Sequence, residues 1–135
     1  MIIFSIIATI IAIILNFNET LMGSQATLVN FIVTAIYLSV WIWLMILGAK
    51  SKAKRLNIYF GVFWSITLLT SISTIFANII TKVDFTATIP LVIIFLTPLY
   101  GIRFFNLTFL TCSVIYAILS TVFALIGFAS VKRNN

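Results

Sequence analysis

The chain has no histidine, one cysteine and only two carboxylates, Glu19 and Asp84, in 135 residues. Each shortage closes off a class of chemistry. Without histidine, the commonest general base and metal ligand is missing. A single cysteine, Cys112, excludes an internal disulfide and a multi-cysteine metal site. It lies inside an apolar run and reads as a small packing residue rather than a reactive thiol. The two acids are far apart in sequence and read as solvated loop charges, not as an acid–base pair. The five glycines are scattered, with no loop that could cradle a phosphate. These absences point away from an enzyme, and no metal or cofactor is expected.

Charge is scarce overall. Charged residues make up 7% of the chain and hydrophobic residues 63%, with a mean hydropathy of +1.28. Soluble domains carry about 25% charged residues, and a chain this short could not hide so much apolar surface from water. A lipid bilayer is the fitting solvent. It takes about 20 apolar residues per helical crossing. Backbone groups in lipid must be bonded within the segment, so long apolar runs read as helices. The alternation of a membrane β-barrel is missing.

Five apolar runs are expected as helices, at about 1–17, 27–49, 56–81, 89–102 and 107–130, with a basic loop at 50–55. The first resembles a signal-peptide core in length. No Lys or Arg precedes it, and "GSQA" at 23–26 is a poor cleavage site, so a retained helix is expected. Pro98, Gly101, Arg103 and Asn106 interrupt the long final run. Pro90 suits the first turn of the fourth helix. The expected fold is one all-α, polytopic membrane bundle of five transmembrane helices with a cytoplasmic N-terminus. The alternative has four crossings, with 89–103 dipping in and returning as a re-entrant segment. Five crossings leave Lys132 and Arg133 on the outer side; four bring them inside.

Half of the eight basic residues, Lys50, Lys52, Lys54 and Arg55, fall in "GAKSKAKRLN" at 48–57. Clustered Lys and Arg hold a loop in the cytoplasm. They also attract anionic lipid headgroups by about 1 kcal/mol per residue near the surface. Nucleic acid is not an expected partner, because no soluble domain exists to carry it. Trp43 and Trp64 flank this loop, with Trp41 and Tyr59 nearby, in the manner of an aromatic belt.

Two polar stripes follow helical spacing. On the third helix, Thr67, Thr70, Ser71, Thr74, Asn78 and Thr81 share a face. Leu69, Ile72, Phe76, Ile79 and Ile80 lie opposite and should meet lipid. On the second helix the matching face is Thr27, Asn30, Thr34, Tyr37, Trp41, Met45 and Gly48. At 1.5 Å per residue, Asn30 lies about 30 Å from Lys50 and Asn78 about 34 Å from Arg55. The two asparagines thus share an outer level. Such groups join helices by hydrogen bonds worth about 0.6 kcal/mol on average. The sharper expectation is an outward-open polar vestibule formed by Asn30, Thr34, Thr70, Thr74 and Asn78, where a ligand or partner docks. The fifth helix has a small-residue face, with Ser113/Ala117 and Ser120/Ala124 pairs that permit close backbone approach.

The sequence therefore leads to a small non-catalytic protein of a bacterial cell membrane. It would be an accessory, complex-stabilising or immunity-type partner to another membrane protein or to copies of itself. The alternative is a small oligomeric transporter, channel or lipid-handling protein. Bacterial origin is the expectation from the Ile- and Asn-rich composition. Replacing Lys50, Lys52, Lys54 and Arg55 together by glutamine should produce mixed membrane orientations, read by reporter fusions at the C-terminus. A single retained orientation would assign the topology to other charges.

Overall fold

The computed structural model describes residues 1–80 and 84–133. The expected end of the third helix at Thr81, and Lys82, lie outside the described residues. Those described form helices and connecting turns, with no strand among them. Five helical segments are long and apolar enough to cross a membrane.

Helix α1 (Ile2–Met22) runs past the expected boundary near residue 17. Asn18, Glu19 and Thr20 follow the expected boundary as a polar exit, but polar residues do not stop a helix. Gly23 does, in the left-handed conformation with φ 61°. Its N–H reaches the Thr20 carbonyl at 3.3 Å, and the Ser24 N–H reaches that of Glu19 at 3.2 Å. Two otherwise orphaned carbonyls are closed in this way.

Helix α2 (Leu28–Lys50) starts at a capping box. The Asn30 N–H donates to the Thr27 hydroxyl oxygen at 3.3 Å, and the Thr27 N–H donates to Asn30 Oδ1 at 2.7 Å. Asparagine here fills the reciprocal role that Glu or Gln commonly takes. A turn at Ser51, Lys52 and Ala53 leads to α3 (Lys54–Ile79). Lys52 takes φ 52° to close it. Two helices joined so tightly must run antiparallel, which puts Ile79 at the same end of the bundle as Gly23.

The next segment, Thr86–Phe105, is helical but irregular. One α-helical turn, α4 (Ile89–Leu91), follows a 3₁₀ turn and leads into a π turn at Val92–Leu96. A 3₁₀ stretch, Thr97–Phe105, completes it. Pro98 cannot donate a backbone hydrogen bond, which suits the change of winding at this point. By length and composition the segment could cross a membrane, yet it folds back. Its start lines a depression with Thr74 and Ala77, close to the end of α3. Midway, the Phe95 ring meets Phe63 at 5.1 Å, and Phe63 is about 24 Å below Ile79 by helical rise. At its end, Arg103 hydrogen-bonds the Gly23 carbonyl at 2.7 Å. Both ends of the segment therefore sit at the end of the bundle away from the basic turn. Helix α5 (Phe109–Arg133) returns from there along α3.

Within the bundle the segment thus leaves one end and returns to it. It carries Lys132 and Arg133 to the same end as Lys50, Lys52, Lys54 and Arg55. Six of the eight basic residues gather at one end, where the N-terminus also lies, since the Ser5 hydroxyl is 3.1 Å from that of Tyr59.

An aromatic cluster fills the centre. Trp41 stacks on Phe63 at 4.5 Å and meets Trp64 edge-on at 5.3 Å; Trp64 in turn contacts Phe123 at 4.5 Å. Rings from α2, α3, α5 and the folded-back segment lock together here. The aromatic-belt reading therefore splits. Trp43 is exposed beside Phe4, while Trp41 and Trp64 are completely buried. Depth was legible from spacing, but the direction each ring faces depends on the neighbouring helix. Leu69, Ile72, Phe76, Ile79 and Ile80 are exposed, as their opposition to the polar stripe implies. An exterior so rich in bare apolar side chains suits a multi-pass membrane protein.

Helices α3 and α5 touch through glycine. A Cβ on Gly127 would lie 2.7 Å from the Gly61 nitrogen and 2.9 Å from its Cα. Backbone cannot retreat as a side chain can. Gly127→Val should destabilise the folded protein by about 1–3 kcal/mol. Exposed Leu125→Ala should change it by less than about 0.5 kcal/mol. Both are measurable by reversible unfolding in mixed micelles, and equal effects would refute the close α3–α5 contact.

Candidate functional site

The buried polar residues converge where the folded-back segment passes between α1 and α2. Asn16, Asn30 and Thr34 are almost completely buried. Asn16 Nδ2 donates to the Thr97 carbonyl at 3.0 Å, with Pro98 O and Thr34 Oγ1 each at 3.4 Å. The Thr34 hydroxyl donates to the Pro98 carbonyl at 2.8 Å and accepts from the Gly101 N–H at 3.0 Å. Asn30 Nδ2 donates to Asn16 Oδ1 at 3.1 Å and to Glu19 Oε2 at 3.3 Å. Its Oδ1 accepts from the Thr27 N–H and hydroxyl, both at 2.7 Å.

The cluster has a clear physical task. Backbone irregularity inside an apolar bundle frees carbonyls and N–H groups that need partners. Asn16 and Thr34 supply them for Thr97, Pro98 and Gly101. Asn30 holds Asn16 in register while capping its own helix. Gly101 passes so close to the Asn30 carbonyl that an added Cβ would overlap it, so this crossing requires glycine.

The two stripes therefore part company. Asn30 and Thr34 are joined in the cluster with Asn16, which sequence spacing did not single out. Thr70, Thr74 and Asn78 are not. The Thr70 hydroxyl donates to the Ile66 carbonyl at 2.9 Å, Thr74 to Thr70 at 2.9 Å, and Asn78 Nδ2 to Thr74 at 2.8 Å. All three bonds stay within α3, the usual resort of polar side chains on a helix without a partner. Asn78 is exposed. The expected vestibule with Asn30 and Asn78 at one mouth is not assembled among the described residues: the folded-back segment takes up the α2 stripe. Ser5, Thr9 and Asn16, the buried polar residues of α1, fall close to one helical face and were the available signal for the missing partner.

A second group closes the same end of the bundle. Arg103 Nη1 donates to the Gly23 carbonyl at 2.7 Å, the Ser24 carbonyl at 3.0 Å and the Tyr100 hydroxyl at 2.7 Å. Tyr100 donates to the Ser24 carbonyl, and Gln25 Nε2 donates to the Arg103 carbonyl at 2.6 Å. The guanidinium lies 3.7 Å over the Phe109 ring. Nearby, Asp84 opens the folded-back segment. Bonds from the Thr86 hydroxyl and N–H hold its carboxyl below the usual range.

At the other end, Lys50 closes α2, Lys52 shapes the turn, and Lys54 and Arg55 open α3. Asn57 Nδ2 donates to the Gly48 carbonyl at 3.3 Å and fastens the two helices beneath these charges. Among the described residues no group of His, Cys, Asp or Glu could hold a metal ion. No family model, curated protein or solved structure matches the chain.

Asn16→Leu should strand the Thr97 carbonyl and one Asn30 donor and cost about 1–3 kcal/mol. Asn78→Leu should fall within about 0.5 kcal/mol of the parent. Unfolding in mixed micelles separates the two, and a larger loss at Asn78 would contradict this assignment.

Proposed function

We propose that the chain is a non-catalytic protein of the bacterial cytoplasmic membrane. It acts as an accessory, complex-stabilising or immunity-type partner to another membrane protein. It crosses four times, with Thr86–Phe105 re-entrant and both termini on the cytoplasmic side. The gathering of six basic residues at one end supports that orientation. The same charges rest on anionic headgroups of the inner leaflet.

One observation carries the functional reading. The polar side chains that could have lined a path are consumed in bonds to the protein itself, around Pro98 and along α3. What the bundle offers outward is an apolar helical surface, the kind of face a second membrane protein or another copy packs against. The broken segment favours one other reading, a small oligomeric transporter, channel or lipid-handling protein, because discontinuous helices often line transport sites.

Two measurements separate these. Under the accessory reading, purified protein in liposomes passes no ions, small solutes or lipid above the protein-free rate. Removing the gene then lowers the amount of a defined membrane complex or the resistance to a toxin. Solute or lipid transfer by the purified chain would establish the other reading. Gene removal without effect on complex or resistance would overturn the first.

A further inference from the structure

A groove of about 270 Å³ lies between α1 and α2. Phe4, Ala8, Ala12 and Leu15 line it from α1, and Ile36 and Val40 from α2. The two alanines are too short to fill the space where the helices face each other. Phe4, Leu15 and Ile36 are exposed, so the groove is open to the surroundings of the bundle. From Phe4 to Leu15 it runs about 16 Å along α1 by helical rise. One leaflet supplies about 15 Å of hydrocarbon, half of a bilayer core.

The groove begins at the basic end. The Phe4 ring meets Trp43 at 5.9 Å, and a shallower depression sharing Phe4, Ile36 and Val40 continues the groove to Trp43. Ile36, Trp43 and Lys50 are spaced by seven residues. That spacing drifts only about 20° per repeat and keeps them on one side of α2. Lys50 is exposed and stands about 10 Å beyond Trp43 by helical rise. Neither of the chain's two acids is at this end: Glu19 bonds Asn30, and Asp84 opens the folded-back segment.

An apolar gap left empty forfeits the contacts its lining could make. A helix is about 10–12 Å across, and 16 Å of one takes on the order of 1,000 Å³, far more than the groove holds. A hydrocarbon chain fits. Since about 150 Å³ holds the six carbons of benzene, this groove takes roughly ten carbons. We propose that it holds one acyl chain of an anionic phospholipid, with the glycerol esters beside Trp43 and the phosphate at Lys50. Tryptophan sits at headgroup level in membranes, and a lysine stem reaches along apolar surface to bring its charge there. This placement rests on the proposed seat of the basic end at a lipid surface. It is independent of whether the protein serves as an accessory or moves a solute.

Trp43 is exposed while Trp41 and Trp64 are buried, so quenching of its fluorescence reports the mouth of the groove. The full chain in neutral-detergent micelles is titrated with phosphatidylglycerol or phosphatidylcholine brominated on the chains. Quenching by phosphatidylglycerol should saturate at lower lipid than quenching by phosphatidylcholine. Lys50→Gln should weaken phosphatidylglycerol about fivefold and leave phosphatidylcholine unchanged, whereas Lys132→Gln, on α5, should alter neither by as much as about twofold. Half-buried Ala8→Phe fills the groove and should abolish saturable quenching while the lipid-free unfolding temperature holds. Micelles have no sidedness, so these results do not depend on which leaflet the basic end meets. Non-saturating quenching or equal affinity for the two lipids overturns the proposal. Phosphatidylglycerol binding that survives intact in Lys50→Gln or Ala8→Phe also overturns it. So does a concentration-dependent dimer that Ala8→Phe dissolves, which would give the groove to a second copy.

Discussion

The structure depends on one constraint: a chain that breaks its helix inside an apolar bundle must bond the freed backbone groups itself. The break lies around Pro98, where the winding changes from a π turn to a 3₁₀ stretch. Asn16 from α1 and Thr34 from α2 meet the carbonyls there, and Thr34 also receives the Gly101 N–H. Asn30 completes the set by holding Asn16. If these bonds form, the segment can turn back at mid-depth, and the last helix can bring its basic end to join the basic turn. Without them the turn-back would leave bare carbonyls in an apolar interior.

Polar residues in this bundle therefore serve mainly to satisfy backbone. Along α3 they bond their own helix, and around Pro98 they bond a neighbour. Rigidity comes from elsewhere, through the interlocked rings of Trp41, Phe63, Trp64 and Phe123 and the glycine contact between Gly61 and Gly127. Association of helices in lipid relies on such close packing, because apolar burial alone gives no advantage over lipid tails. A bundle packed in this way suits a protein that works by presenting a surface. Arg103 departs from that pattern: among the described residues its hydrogen bonds go to neutral groups, and it lines a cavity.

Much of the fold was legible in the chain. Apolar run lengths located the helices, and the opposition of Leu69, Ile72 and Phe76 to the hydroxyl stripe correctly marked the exposed face of α3. The break around Pro98 was also legible. Three features were hidden for physical reasons. The end of α1 was misplaced because Asn18, Glu19 and Thr20 look like a loop, whereas Gly23 supplies the left-handed turn. Asn30 and Asn78 looked equivalent because rise gives depth but not which neighbour a face meets. Trp41 and Trp64 looked like interfacial anchors for the same reason. The choice between crossing and turning back depended on Asn16, whose partner lies some eighty residues along the chain.

The central claim is that Thr86–Phe105 returns to the end it left. Single cysteines at Lys52, Asp84, Phe105 and Lys132, each in a Cys112→Ser chain, can be probed with a membrane-impermeant thiol reagent in sealed vesicles of known orientation. Lys52→Cys and Lys132→Cys should label from one side, and Asp84→Cys and Phe105→Cys both from the other. Labelling of Asp84→Cys and Phe105→Cys from opposite sides, with Lys132→Cys opposite Lys52→Cys, would mean that the segment crosses and would contradict the account.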